Sequence, residues 1–269
     1  MLIALVRRDL RLRKWQRPMV TLVLMLGTAI VWGLDHLSSR VLRDDLDIFS
    51  QFLSSPVQLL APVFAVVAGC LPLFDELGKR FIVSTRTRVD LSTYLCAKIV
   101  SGCSLTFLVF FGFTLALFVL AYGIWPSLGN PNVDPSMYGL TEMSAQVDAA
   151  SRVTYSGLLR FSPLAYGVVF SGWVGVGGAT LAGLGMVALV ALPSRLLAIL
   201  IPFIVYTGGT VAASLLGVPH FGIMFSIFPF GLTAAPPLAG AAGCLVLALL
   251  TLVAGTLLLR NARTSLRLA

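Results

Sequence analysis

The feature that most limits how this chain can fold is a set of long apolar runs that contain no Asp, Glu, Lys or Arg. The longest that we interpret as a single span covers residues 161–192, and the whole chain has a mean hydropathy of +0.95 with only 11% charged residues. A helix needs about 20 apolar residues to cross the roughly 30 Å hydrocarbon core of a bilayer. Only helices and closed barrels satisfy their backbone polar groups there. The alternating ten-residue strands of a barrel are not seen in the sequence, so we predict an all-α polytopic membrane protein.

The uncharged runs predict six transmembrane helices in a single transmembrane domain over residues 1–269. The predicted spans cover residues 18–34, 57–74, 99–125, 161–192, 196–216 and 237–259. The fourth is longer than one bilayer thickness, so we expect it to be tilted, broken or projecting. An acidic outer loop follows the first span. A longer outer loop covers residues 126–159, and its latter half, 141–155, predicts a short surface helix.

Residues 217–236 lie before the last span and contain three prolines but no Asp, Glu, Lys or Arg. The segment is too rich in proline for one spanning helix and too apolar for a free loop. We therefore predict a re-entrant or interfacial hairpin on the outer side.

The N-terminal residues, 1–17, predict an interfacial amphipathic helix. Most of its basic residues share one half of the helix, and Asp9 and Arg13 interrupt the apolar half. A helix of this kind lies in the headgroup layer and places its arginines on anionic membrane lipid. The first span does not end in a cleavage site of small residues, so we expect the segment to be retained.

The net charge of +8 would fit a nucleic-acid partner, but the positions of the charges indicate membrane topology instead. Six spans place both termini on the same side of the membrane. Fifteen of the 19 Lys and Arg residues lie in the segments on that side. The positive-inside rule then places both termini in the cytosol, as in a multi-pass protein of a bacterial plasma membrane without a nucleic-acid partner. The four cysteines lie in or beside apolar spans without metal-ligand spacing, which indicates packing roles.

The long charged loop over residues 75–98 is the segment around which we expect function to be organised. Its residues are acidic at the start, then apolar, then basic, and two polar residues precede the third span; they are Asp75 and Glu76, Phe81 and Ile82, Arg86 and Arg88, and Tyr94 and Lys98. A simple connection needs about two to eight residues. We therefore predict a contact surface for a soluble partner, with an ordinary solvated basic loop as the alternative.

Charged residues are absent from the six predicted spans, and this argues against ion or proton coupling. A charge at a helix centre costs about 2.5–3.5 kcal/mol on the insertion scale, and chains that carry one usually need it for function. The three lysines, Lys14, Lys79 and Lys98, lie outside any phosphate-binding loop motif. We therefore expect no enzymatic activity in this chain itself, and no metal or cofactor of its own.

Two further patterns have a packing interpretation and a functional alternative. Small residues recur every four positions in the fourth span and predict a groove for close helix packing, with substrate lining as the alternative; they are Gly167, Ser171, Gly175, Ala179 and Gly183. Phenylalanines recur in the predicted outer hairpin and predict interfacial anchoring, with an outer gate as the alternative; they are Phe221, Phe225, Phe228 and Phe230.

The layout as a whole resembles the permease subunits of type-2 ABC exporters. It shares an N-terminal interfacial helix, six spans, a long first cytosolic loop, a very short second one and an outer hairpin before the last span. Four loop residues stand at the separations of the family pattern: Asp75, Thr87, Tyr94 and Lys98. Gly78 falls one position early, and Arg88 replaces the usual proline.

The resemblance implies that residues 81–92 form a coupling helix, which docks in a cleft on a separate ATP-binding subunit. In this hypothesis Arg86 and Arg88 pair with carboxylates of that subunit, and Phe81 and Ile82 fill an apolar notch. The partners are two copies of the ATPase, which bind ATP and Mg, and a second permease subunit, identical or related. The complex would export an apolar or amphiphilic substrate such as a drug, a lipid or a hydrophobic peptide.

Two other classes of function remain open on the sequence. One is a secondary transporter or channel that works without ATP. The other is a membrane-embedded enzyme, whose only candidate residues are the outer aspartates Asp44, Asp45 and Asp47. A solvated loop that helps to set topology also explains these aspartates.

Overall fold

The computed structural model describes residues 15–37, 39–78, 91–230 and 236–261, together with residues 3, 5–7 and 9. Ten α-helices form its main elements. In chain order they are α1 (Gln16–Leu37), α2 (Asp45–Leu53), α3 (Pro56–Gly69), α4 (Leu71–Gly78), α5 (Leu91–Val119), α6 (Glu142–Arg152), α7 (Pro163–Ala191), α8 (Arg195–Leu215), α9 (Ile223–Ile227) and α10 (Pro237–Asn261). A π-helical turn, Leu120–Ile124, follows α5, and a short α-helical turn, Trp125–Ser127, continues it.

Five of these helices are long and apolar enough to cross a membrane. They are α1, α5 with its extension to Ser127, α7, α8 and α10 up to Arg260. A sixth crossing is obtained when α2 and α3, which meet at a bend of 53°, are taken as one broken span. The fold is therefore that of an all-α protein with several membrane-length helices.

The long helix α7 lies at the centre of the bundle. Its most apolar window is 67% buried, compared with 22% in α8 and 17% in α10. Helix α7 begins at Pro163, where the missing N–H costs nothing, and ends before Pro193, which cannot continue a helix. The fourth predicted span is thus one unbroken helix of 29 residues. The outward faces of α1, α8 and α10 carry exposed aliphatic side chains, as expected for surfaces in lipid.

The region of the second predicted span, residues 57–74, differs from the sequence prediction. Helix α3 ends at Gly69 and α4 starts at Leu71, so the run is broken there. Pro72 causes the break because it has no N–H for the carbonyl of Ala68, whereas it is tolerated in the first turn of a new helix. The loop predicted before this span contains α2, which Asp44 caps by accepting a hydrogen bond from the Asp47 amide at 3.0 Å.

The bundle has two ends, which we call proximal and distal. The proximal end holds Asp9, the start of α1, the end of α4 and the start of α5. The distal end holds the connection between α1 and α2 and residues 126–162. There the Leu42 amide donates to the Asn132 carbonyl at 2.7 Å, and the Tyr138 hydroxyl donates to the Val41 carbonyl at 2.7 Å. These bonds join the two distal segments into one cap.

Candidate functional site

The predicted coupling loop lies between α4 and α5 and is only partly described. Asp75 and Glu76 lie in α4, and Tyr94 and Lys98 lie in the first turns of α5. The third predicted span therefore starts eight residues early, at Leu91 instead of residue 99. The remaining predicted contact residues lie outside the described residues; they are Phe81, Ile82, Arg86, Thr87 and Arg88.

Lys98 is the centre of a polar group that joins three segments at the proximal end. Its ammonium contacts Glu76 Oε1 at 2.7 Å and also pairs with Asp9. The Tyr94 hydroxyl donates to Glu76 Oε2 at 2.5 Å, and the Ser101 hydroxyl donates to Asp9 Oδ2 at 2.6 Å. We call these five residues the Lys98 cluster. It ties the N-terminal segment to both helices that flank residues 79–90.

The charges of the Lys98 cluster are largely shielded from solvent. The side chains of Lys98, Asp9 and Glu76 are 12%, 16% and 25% exposed. Such charges are tolerated only when they are paired and hydrogen-bonded. The helix from Leu91 to Ser127 has 37 residues, and at 1.5 Å per residue it is about 55 Å long. Because this exceeds the roughly 30 Å hydrocarbon core, the Lys98 level can project beyond it.

A second ion pair at the proximal end is more exposed. Arg17 Nη1 contacts Asp75 Oδ2 at 3.0 Å, and the two side chains are 48% and 45% exposed. An exposed pair contributes about 0–1 kcal/mol. The Lys98 cluster is therefore the stronger connection, and the Arg17–Asp75 pair adds a second contact between α1 and α4.

The small residues of α7 face α5 closely. A Cβ added at Gly167 would lie 2.5 Å from Phe118 Cδ1, and one at Gly175 would lie 2.9 Å from Phe107 Cδ2. Gly167, Ser171, Gly175 and Gly183 are buried, whereas Ala179 is half-buried. The small residues thus let the aromatic rings of α5 lie against the α7 backbone, as in close helix packing in membranes.

Substituting Gly167 with alanine should destabilise the protein by about 1–3 kcal/mol, because the new methyl group overlaps the Phe118 ring. Gly172 lies on the same helix and has no atom within 4 Å of an added Cβ. The Gly172→Ala control should leave stability unchanged or slightly raised. Thermal unfolding in detergent, followed by circular dichroism, measures both. Equal effects of the two substitutions would contradict the packing role of Gly167.

The four phenylalanines of the predicted outer hairpin do not share one environment. Phe228 is buried and Phe221 is 43% exposed, while Phe225 and Phe230 are half-buried. The hairpin contains the turn Pro219–Phe221 and helix α9, and residues 231–235 lie outside the described residues. The Trp173 indole of α7 donates to the Ser226 carbonyl at 2.7 Å, so α9 is bonded to the central helix.

The distal end carries a second charged group, in which two of the outer aspartates named from the sequence meet α6. Arg152 of α6 contacts Asp44 Oδ2 at 2.9 Å and Asp148 Oδ2 at 2.5 Å, and it also pairs with Asp47. Arg43 makes longer contacts: its Nη1 lies 3.6 Å from Asp148 Oδ2, and its Nε lies 3.9 Å from Asp47 Oδ2. We call these five residues the Arg152 cluster. Burial raises the pKa of the Asp44 carboxyl, although Arg152 opposes the shift.

The chemistry at the distal end is that of an ion-pair network rather than of a catalytic site. Asp44 and Asp47 are both engaged by Arg152, and both support the start of α2. Among the residues that the structure describes, no group of three His, Cys, Asp or Glu side chains is arranged to hold a metal ion. The contacts of Asp44 and Asp47 are those of an ion-pair network and of a helix start.

Sequence reasoning named Glu76, Tyr94 and Lys98 of one cluster and Asp44 and Asp47 of the other, but it did not find the residues that join them. Asp9 was recognisable as an acidic residue that interrupts the apolar half of a basic helix. Ser101 carries no local signal of this kind, because its partner Asp9 lies 92 positions away. Asp148 and Arg152 are a local pair at i and i+4, but their spacing gives no indication of the distant Asp44 and Asp47. Lys98 and Asp9, likewise, are separated by 89 positions.

Comparison of the chain with protein-family models, with curated proteins and with solved structures gives no significant match.

Proposed function

We propose that this chain is the transmembrane subunit of an ATP-driven exporter, of the kind formed by type-2 ABC permeases. The observation that carries the proposal is the Lys98 cluster, which holds both helices flanking residues 79–90 and the N-terminal segment together. A mechanical input to residues 79–90 would be transmitted to all three elements at once. An ordinary solvated loop needs no such anchoring.

In this proposal the proximal end faces the cytosol of a bacterium, because most Lys and Arg residues belong to that side. Helices α2, α3 and α4 together provide the second of six crossings. The permease pairs with a second permease subunit and binds two ATPase subunits, which hold ATP and Mg. The segment over residues 81–92 enters a cleft on the ATPase.

The proposed cargo is apolar or amphiphilic. The most apolar windows of the five membrane-length helices contain few or no charged residues, and the Lys98 and Arg152 clusters lie at the two ends of the bundle. A charged substrate would lose its hydration shell in the pathway, and a pathway without ionised groups offers no charges to compensate for that loss. A drug, a lipid or a hydrophobic peptide fits this chemistry.

The docking role can be tested with Phe81→Asp, which places a charge in the predicted apolar contact. We expect the variant to insert normally but to lose ATP-dependent export and most of the co-purifying ATPase. Replacement of Asp75 and Glu76 by lysine should also uncouple export, and Glu76→Lys additionally breaks the Lys98 cluster. Phe161→Asp, at a distal side chain that is 84% exposed, is the matched control and should retain the ATPase.

Retention of both ATPase binding and export in Phe81→Asp would overturn the docking assignment. Export by the purified chain without any nucleotide would favour the alternative of an ATP-independent transporter or channel.

A further inference from the structure

Tyr166 of α7 differs from Tyr155 and Tyr206, whose hydroxyls each have a hydrogen-bond partner. Its side chain is fully buried, and its hydroxyl has no hydrogen-bond partner among the residues that the structure describes. Tyr206 is equally buried, yet its hydroxyl donates to the Gln58 carbonyl at 2.7 Å. The Tyr155 hydroxyl likewise donates to the Pro237 carbonyl at 3.0 Å. A buried hydroxyl without a partner destabilises a fold, and phenylalanine would avoid this cost.

Aromatic side chains of α2 and α7 lie next to Tyr166. Its ring centroid lies 6.2 Å from that of Phe49 in α2 and 5.5 Å from that of Phe170. The ring centroid of Phe49 also lies 5.8 Å from that of Phe118 in α5. The Tyr166 ring therefore lies among aromatic side chains, which suits an apolar molecule that carries one hydrogen-bonding oxygen.

Helix α2 covers this aromatic environment with a buried apolar face, which includes Phe49 and Phe52, and a charged contact and a bend mark its two ends. At its N-terminal end, Asp44 and Asp47 hold Arg152. At its C-terminal end, the chain bends by 53° into α3. Ser55, at this bend, is buried, and its hydroxyl also has no hydrogen-bond partner in the described part of the chain. A helix of nine residues between an ion-pair latch and a bend can move as a unit.

We propose that α2 is a lid over a cargo site in which the Tyr166 hydroxyl hydrogen-bonds an oxygen of an apolar aromatic molecule. The proposal rests on the proposed function, because it assigns a binding step to the exported cargo. Release of Asp44 and Asp47 from Arg152 lets α2 move about the bend at Ser55 and separates Phe49 from Tyr166. The Tyr166 hydroxyl would also form a hydrogen bond with a water molecule, so the test must distinguish a cargo oxygen from a water oxygen.

The test uses two probes that differ by one oxygen, 2-naphthol and naphthalene. Their saturable binding to the full chain in phosphatidylcholine nanodiscs is measured by quenching of tryptophan fluorescence, with empty nanodiscs as the blank. We expect 2-naphthol to bind about 3–10-fold more tightly than naphthalene, as one neutral hydrogen bond provides. Tyr166→Phe should abolish this preference without lowering the unfolding temperature. Tyr206→Phe, the matched control, should lower the unfolding temperature and keep the preference.

Three results would overturn the site. One is equal affinity of the two probes for the unmodified chain. Another is an unchanged preference in Tyr166→Phe. The third is a lower unfolding temperature of Tyr166→Phe with unchanged binding, which would identify a structural water as the partner. No ATPase or nucleotide is present, so failure here leaves the coupling experiment with Phe81→Asp unaffected.

The lid is tested separately by the rate of association. Arg152→Lys keeps the charge but loses the planar fork that binds several carboxylates. It should speed 2-naphthol association at least about threefold, because the open form becomes more populated, and the preference for 2-naphthol should persist. An unchanged association rate would overturn the lid.

Discussion

Replacing Arg152 with leucine is expected to destabilise the protein by about 2–4 kcal/mol, because it leaves partly buried carboxylates without their cation. Arg152 and its partners Asp44, Asp47 and Asp148 are only 15–33% exposed. For a chain of this size, the loss corresponds to a fall of roughly 5–15 °C in unfolding temperature. Thermal unfolding in detergent at low ionic strength measures it.

The matched control is Arg43→Leu, in the same cluster. Arg43 makes only the longer contacts, at 3.6 Å and 3.9 Å, and its side chain is 37% exposed. Its removal should cost at most about 1 kcal/mol. If the two leucine variants unfold at the same temperature, Arg152 is not the residue that holds the distal cap.

The effect of Arg152→Leu should also depend on pH, with a defined sign. Burial already raises the pKa of Asp44 in the folded protein, and removal of Arg152 takes away an opposing influence. An aspartate with a raised folded pKa takes up a proton more readily when folded than when unfolded. The penalty is therefore full above that pKa and is relieved as the pH falls through it. We expect the deficit of Arg152→Leu relative to the unmodified chain to shrink as the pH is lowered from neutral towards the ordinary pKa of an aspartate. A deficit that grows on acidification would contradict this account.

The long apolar helices could be predicted closely because they depend only on local composition. The predicted span over residues 196–216 corresponds to Arg195–Leu215, and the span over 161–192 corresponds to Pro163–Ala191. In both cases a proline or serine next to the apolar run marks the boundary. No information from distant parts of the chain is needed to locate such helices.

Helix α2 shows why other elements were missed. Its aspartates indicate a solvated loop, yet Leu46, Phe49 and Leu53 recur at helical spacing and are buried. This apolar face is satisfied by contacts from distant helices. A Cβ added at Gly33, for example, would lie only 2.1 Å from Phe52 Cδ1, so the Phe52 ring occupies the space that a side chain there would need. Only the folded arrangement shows that a glycine of α1 makes room for this ring.

The start of α5 was misplaced for a related reason. Lys98 marks the end of the uncharged run, so the predicted span begins at residue 99, whereas the helix begins at Leu91. The lysine is accommodated because Glu76 and Asp9 compensate its charge. A pairing between residues from three segments is not visible in a single sequence. Charge compensation of this kind is the part of the candidate site that sequence reasoning could not supply.

Replacing Lys98 with methionine should have the second large effect. The substitution keeps the apolar stem but leaves Asp9 and Glu76 close together without a cation, which we expect to cost about 2–4 kcal/mol. The double variant Lys98→Met, Glu76→Gln removes the repulsion and should recover most of the lost stability. A double-mutant cycle built from thermal unfolding temperatures then gives the coupling between the two residues.

The same variants separate a structural role of Lys98 from a role in coupling. In the proposed exporter, the double variant is stable but no longer links the N-terminal segment to α4 and α5. Its ATPase partner should still bind, because residues 81–88 are unchanged, while ATP-dependent export falls by at least about tenfold, the equivalent of 1.4 kcal/mol of lost coupling. The control is Arg17→Met, which removes only the exposed pair with Asp75 and should retain export. Full export by the stable double variant would show that the Lys98 cluster maintains the fold without transmitting force.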